Sequence, residues 1–164
     1  DFHAVAIGDG DSLEELRSLS AELGLEDCVT FTGFIPDEEM VRLLSTVDIC
    51  LDPNPSSPLN DVSTWIKVME YMALGKPVIS FGLKETRVSA GDAALYATPN
   101  DVAEFARAVA RLMDDEPLRA RMGKVGTTRV RDELGWHVTS QNLLRAYEFL
   151  LGGAAEPASR TTTA

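Results

Sequence analysis

Cysteine is nearly absent: 164 residues carry two, Cys28 and Cys50. Two thiols cannot build a disulfide framework, and no C-x-x-C spacing points to a metal. Each stands in a short apolar run of β character, where a free thiol packs as a small hydrophobe. That usage fits a reducing compartment. Positive charge is scarce as well. The 15 Lys and Arg face 26 Asp and Glu, a formal net charge of −11. Such a balance argues against nucleic acid as a partner and against electrostatic docking on anionic lipid. No apolar run reaches about 18 residues, so no segment reads as a membrane-spanning helix. Neither a Ser–His–Asp arrangement nor a His/Asp/Glu cluster with metal-ligand spacing is present, so no metal is expected. Hydrophobic residues are present in ordinary amount, at 45%, enough for a globular core.

The chain begins at Asp1, and residues 2–8 read at once as a strand, with no charged leader before it. A buried-type strand at the second residue is an unusual opening for a gene product. The expectation is a piece of a larger protein whose upstream part is missing.

Short apolar runs alternate with helical patterns. Residues 3–8, 28–32, 48–51, 77–81 and 93–97 read as strands. Residues 13–23, 37–47 and 63–74 read as intervening helices, and 101–113, 117–134 and 136–151 as helices toward the C-terminus. Ser12 with Glu15 spells a capping box, and Gly24 and Gly75 stand where helices stop. Residues 52–59 contain three prolines and must be loop. The alternation predicts an α/β fold, a doubly wound and mostly parallel sheet with helices on both faces, over residues 1–151. Residues 152–164 are small and polar and read as a disordered tail. Ligands in such folds bind at the carboxyl ends of strands. Those ends fall at residues 8–10, 33–35, 52–59 and 82–87.

The segment over residues 57–78 carries the most chemistry. With Ser63 at zero and about 100° per residue, Lys67 falls near 40° and Glu70 near 340°. Val62, Trp65, Ile66, Met69, Met72 and Ala73 fall between about 180° and 300°, an apolar face opposite a polar stripe. A helix N-terminus with free N–H groups suits a phosphate, and Lys67 one turn in adds a full positive charge. Glu70, a turn further, is an acceptor-only group able to bind a vicinal diol such as a ribose presents. A Lys and a Glu at that spacing also make an ordinary solvated pair, so the wheel alone leaves both readings open.

At these residues the chain resembles the nucleotide-binding C-terminal half of a GT-B glycosyltransferase of family 4, the glycosyl transferases group 1. That family runs strand–Gly-Asp-Gly–helix, then a strand closing in Gly-Phe or Gly-Tyr, then Glu-x7-Glu leading into Ala-x-Gly-x-Pro-Val. Here the pieces stand as Ile7-Gly8-Asp9-Gly10, Phe31-Thr32-Gly33-Phe34-Ile35-Pro36 and Glu70-Tyr71-Met72-Ala73-Leu74-Gly75-Lys76-Pro77-Val78. The likeness covers roughly residues 2–151.

The resemblance implies a Rossmann-like half of a GT-B fold in a retaining transferase of polysaccharide biosynthesis. A nucleoside diphosphate sugar would be a substrate, with no cofactor and no required metal. It implies a missing N-terminal acceptor-binding domain, a glycan or lipid-linked acceptor, and a fragment inactive alone. It implies a cytoplasmic location, with any contact at the inner face of the membrane made through the missing half. Glu70 takes the place of the glutamate that holds the donor ribose. Ser63 and Thr64 would offer N–H groups to the pyrophosphate, and Gly33, Phe34 and Ile35 would run beside the base. Lys84, Glu85 and Arg87 follow a strand end and are candidates to face the cleft.

Two departures stand out. The family's first Glu falls on Val62 here, leaving Asn60 or Asp61 as candidate substitutes toward the transferred sugar. The family's basic Arg–Lys pair would lie upstream of Asp1. No catalytic residue is assigned. Two other classes stay open: another GT-B enzyme such as a sugar-nucleotide epimerase, and a non-catalytic doubly wound binding module.

Overall fold

The computed structural model describes residues 2–152, so the tail expected over 152–164 lies, apart from its first residue, outside the described residues. The chain divides into two compact units, one ending at Thr46 and the other starting at Val47.

The first unit contains β1 (Ala4–Ile7), α1 (Leu13–Glu22), β2 (Val29–Gly33) and α2 (Asp37–Thr46). β1 and β2 pair in parallel, Ala4 opposite Val29, with the register slipping between Ala6 and Ile7. Parallel neighbours require a crossover, and α1 supplies it. α1 ends as its glycine foretells. Gly24 takes φ +65°, its N–H donates to the Ala21 carbonyl at 3.0 Å, and that of Leu25 donates to Ser20 at 2.9 Å. These are the two bonds of a Schellman turn. The capping box does not form. Ser12 sits at φ −88°, ψ 4°, and its side chain makes no cap hydrogen bond, because a capping hydroxyl needs an extended backbone to reach the N3 amide.

The second unit begins with β3 (Cys50–Asp52), a 3₁₀ turn (Asn60–Val62), α3 (Ile66–Ala73), β4 (Val78–Phe81) and α4 (Lys84–Ala90). A 3₁₀ turn (Gly91–Ala93), β5 (Ala94–Ala97), α5 (Val102–Asp114), α6 (Glu116–Arg129), a π turn (Val130–Leu134) and α7 (Trp136–Leu150) complete it. Its three strands run parallel in the order β3-β4-β5. β4 is therefore central, and all four of its residues are buried. Ile79 and Phe81 pack with Leu83, Phe105, Leu112, Leu118 and Met122. Val78 packs into a second cluster with Val68, Met72, Ala90, Ala93 and Ala94. Alternate residues of one strand thus feed two cores, the arrangement of a parallel sheet covered on both faces. Each fully buried Val, Ile or Phe contributes about 1.5–3 kcal/mol.

The α/β class, the parallel pairing and the C-terminal helices are those read from the sequence, with the strands grouped in two parallel sheets. α4 was not expected, since residues 82–87 read as loop. Its buried face is Thr86, Ser89 and Ala90, small and half-polar side chains that produce no hydrophobic period. The helix expected over 117–134 runs its full length, with α6 passing at Arg129 into a π turn that ends at Leu134. The Arg129 guanidinium donates to the Ser89 and Val88 carbonyls, each at 2.8 Å.

Burial in this unit sets an alkaline limit to stability. Desolvation pushes the Cys50 thiol from 9.0 up to about 12. The phenols of Tyr71 and Tyr96 rise from 10.0 to about 12, again chiefly by burial. A raised acid stays protonated in the folded chain while the unfolded chain ionises, so unfolding releases protons and is favoured as pH rises. The contribution is fully present below about pH 9 and is lost between the ordinary values and about 12. Denaturant melts at pH 8, 9.5 and 11 should show a steady midpoint and then a sharp fall. A midpoint unchanged at pH 11 would contradict the burial of these three groups.

Candidate functional site

In a β–loop–α–β unit with parallel strands, the N-terminus of the helix stands at the carboxyl end of the sheet. α3 occupies that place between β3 and β4. The helix does not begin at Ser63, as its sequence suggested. Residues 60–62 form a 3₁₀ turn, and Ser63 and Trp65 are extended at ψ 125° and 110°. The Ser63 hydroxyl donates back to the Leu59 carbonyl at 2.7 Å, and its N–H goes to Asn60 at 3.3 Å. Ser63 therefore closes the preceding turn instead of opening the helix. The first free amides of α3 are those of Ile66 and Lys67.

The buried face of α3 also differs from the one expected. The buried residues are Val68 and Met72, with Tyr71 packed against the same core. Ile66 and Val62, assigned to the apolar face, are each 68% exposed. The expected apolar face was set partly by Val62 and Trp65, which lie before the helix begins, so it misses part of the face that α3 buries. Glu70 lies on the exposed side of α3. No hydrogen bond or ion pair engages its carboxylate among the described residues.

Lys67 has a partner that sequence reasoning passed over. Its Nζ is 3.0 Å from Oδ1 of Asp52, whose side chain is wholly buried while that of Lys67 is 36% exposed. Asp52 is the last residue of β3 and was read as a turn residue. Asn54 Nδ2 donates to the same oxygen, and the Ser80 hydroxyl donates to Oδ2 at 3.0 Å. The ammonium also stands 5.3 Å from the centre of the Trp65 ring. The signal available was parity. β3 buries Cys50 and Asp52 and exposes Leu51, and an inward carboxylate demands a partner.

The candidates for the first-glutamate role are both engaged in the loop after β3. Asn60 Nδ2 donates to the Pro55 carbonyl at 2.8 Å. Asp61 accepts from the Ser56 hydroxyl at 3.2 Å on each oxygen. The loop is further pinned by the Ser56 N–H donating to Asn100 Oδ1 at 2.8 Å. Thr64 donates to Glu85 Oε2 at 3.2 Å, tying the approach to α3 onto α4. Arg87 stacks over Tyr96, 4.4 Å from the ring centre. Lys84 is exposed.

Gly33, Phe34 and Ile35 belong to the first unit. Gly33 ends β2 at φ +67°, a backbone region glycine enters without steric cost. Its carbonyl accepts from the Gly8 N–H at 3.0 Å. Phe34 is 76% exposed, so it is no core aromatic, and Ile35 is half-buried. Among the described residues no group of three or more His, Cys, Asp and Glu is placed to hold a metal ion. No helix there is long and apolar enough to cross a membrane.

Comparison with known proteins gives a consistent picture. Residues 1–115 match the family model described as glycosyl transferases group 1. The 2-deoxystreptamine glucosyltransferase of Streptomyces kanamyceticus is 33% identical over 155 residues, 93% of this chain and 38% of the relative. Sucrose-phosphate synthase from Thermosynechococcus elongatus superposes with a TM-score of 0.78 at 25% identity, over 90% of this chain and 37% of that one. Alr3699/HepE from Anabaena, solved with UDP and glucose, gives 0.77 at 20% identity, over 90% of this chain and 40% of its own. The chain thus spans about two-fifths of the length of the proteins it matches.

Proposed function

Since the chain belongs to the glycosyl transferases group 1 family, we propose that it is the donor-binding domain of a retaining glycosyltransferase. In this reading it takes a nucleoside diphosphate sugar, and a separate acceptor-binding domain supplies a glycan or lipid-linked acceptor. The observation that carries the reading is on α3. A held cation, Lys67, stands beside the free amides of the helix start, and an unengaged carboxylate, Glu70, stands one turn further on. Phosphate first and diol second along one helix is the polarity of a nucleoside diphosphate. The Anabaena protein that shares the fold is solved with UDP, which supports the same donor class.

Transfer of the sugar builds negative charge on the departing diphosphate. The Ile66 and Lys67 amides and the Lys67 ammonium are fixed before that charge appears, so they stabilise it with little reorganisation. Glu70 anchors the ribose, and this holds the leaving group in register with those donors.

Calorimetric titration of the chain with UDP, GDP and ADP tests the reading. We expect binding near millimolar, about −4 kcal/mol. Glu70→Ala should weaken it at least about tenfold, the worth of a hydrogen bond to a charged group at about 1.5–3 kcal/mol. Removing the ribose 2′-hydroxyl should cost the wild type a similar factor and the Glu70→Ala variant nothing further. Equal heats for nucleotide and buffer, or an unchanged affinity in Glu70→Ala, would end the proposal.

A further inference from the structure

We infer that Asp52 is a positioning residue: from inside the sheet it sets the Lys67 ammonium at the mouth of α3 as a fixed cation for a diphosphate. This rests on the reading of α3 given above. Asp52 does not face the ligand, since its side chain is fully buried. It acts through what it holds. Lysine is a flexible four-carbon stem with a compact charge, and its rotamer freedom opposes any fixed placement. Here one of its three donors goes to Asp52 Oδ1 at 3.0 Å, and the Trp65 ring stands at its side at 5.3 Å. With 36% of the side chain still exposed, the head retains donors for an anion.

The carboxylate is itself fixed. Asn54 from the following loop and Ser80 from the neighbouring strand each donate to it, and Asp52 lies directly opposite Ser80 in the β3–β4 register. Four segments therefore converge on one buried charge: the end of β3, the loop after it, β4 and the first turn of α3. Disturbing any of them moves the cation.

The test is a double-mutant cycle read with two ligands, UDP and uridine, on the chain as it stands. The variants are Asp52→Asn, Lys67→Gln and both together. Asp52→Asn removes the charge at nearly constant shape, and Lys67→Gln replaces the cation by a shorter neutral amide; circular dichroism with thermal melts checks the fold of each. We expect Asp52→Asn to weaken UDP about five- to tenfold while leaving uridine unchanged. In the Lys67→Gln background the same change should add less than twofold. Asp52→Glu, with the charge kept and displaced by one methylene, should recover part of the UDP affinity. Equal losses for UDP and uridine, or additive losses in the double variant, would reduce Asp52 to a structural residue and overturn the inference while the donor reading stands. No UDP binding by the wild type would overturn the donor reading and this inference with it.

Discussion

Gly123→Ala should lower the melting temperature of the chain by about 5–10 °C. Gly123 lies inside α6, where its α-carbon faces the end of α3. A Cβ built there falls inside the van der Waals envelope of the Gly75 carbonyl oxygen and within 3.0 Å of its carbon. Those are backbone atoms of a turn already fixed. Gly75 holds φ +71°, and the Lys76 N–H donates to the Tyr71 carbonyl at 2.9 Å. The obstacle cannot swing aside as a side chain would. Overpacking of this kind costs about 1–3 kcal/mol and occasionally more. Alanine returns about 0.5–1 kcal/mol through its better helix propensity. Because the clash is with backbone, the cost lies at or above the top of that range, about 3–4 kcal/mol, and the net loss of about 2–3 kcal/mol corresponds to that shift for a chain of this size.

Gly126→Ala should cost less, because its new Cβ meets Met72 side-chain and Cα atoms at 3.1–3.2 Å. Gly10→Ala, with nothing within 4 Å, serves as the neutral control. Since the clash pushes on α3, Gly123→Ala should also weaken UDP. A melting temperature equal to wild type would show that α6 does not pack on the Gly75 turn.

That contact shows where sequence reasoning stops. Gly24 and Gly75 were legible as helix ends, because the left-handed residue that closes a helix is a local requirement. The element order was legible too, since each strand and most helices carry their own period. What Gly123 and Gly126 do was not. Their role depends on which helix lies across them, and two glycines inside a helical pattern say only that something comes close. Ser12 failed for a related reason: it matches a capping residue type, but capping is a backbone geometry, and its ψ of 4° decides against it. Ser63, read as the start of a helix, closes the preceding turn through the Leu59 carbonyl instead. At the site, Glu70 and Lys67 were legible as chemistry on one helix. The exposure of Phe34 and the hold of Asp52 on Lys67 arise from tertiary placement. Only the alternation Cys50-Leu51-Asp52 in β3 gave a local hint of the second.

The hold of Asp52 on Lys67 also carries a large stability effect, and it can be separated from ligand binding. Lys67→Met should destabilise the chain by about 2–4 kcal/mol, discounted from the about 3–5 kcal/mol for stranding one partner of a buried pair because Lys67 is itself partly solvated. Methionine fills the space of the lysine stem, so cavity formation contributes little. The loss comes from Asp52, left with Asn54 and Ser80 as neutral donors and no counter-charge. Replacing both residues, Lys67→Met with Asp52→Leu, removes the stranded charge with a side chain of similar branching. Ser80 keeps an acceptor in the Phe81 carbonyl at 2.9 Å. Replacing a buried pair by apolar residues of similar volume is often neutral or better, so the double variant should melt within about 3 °C of wild type. UDP affinity should remain as low as in Lys67→Met alone. A buried ion pair kept for stability would leave the double variant weaker than either single change. Recovery of the fold without recovery of binding would mark a charge that the fold carries for the sake of its ligand.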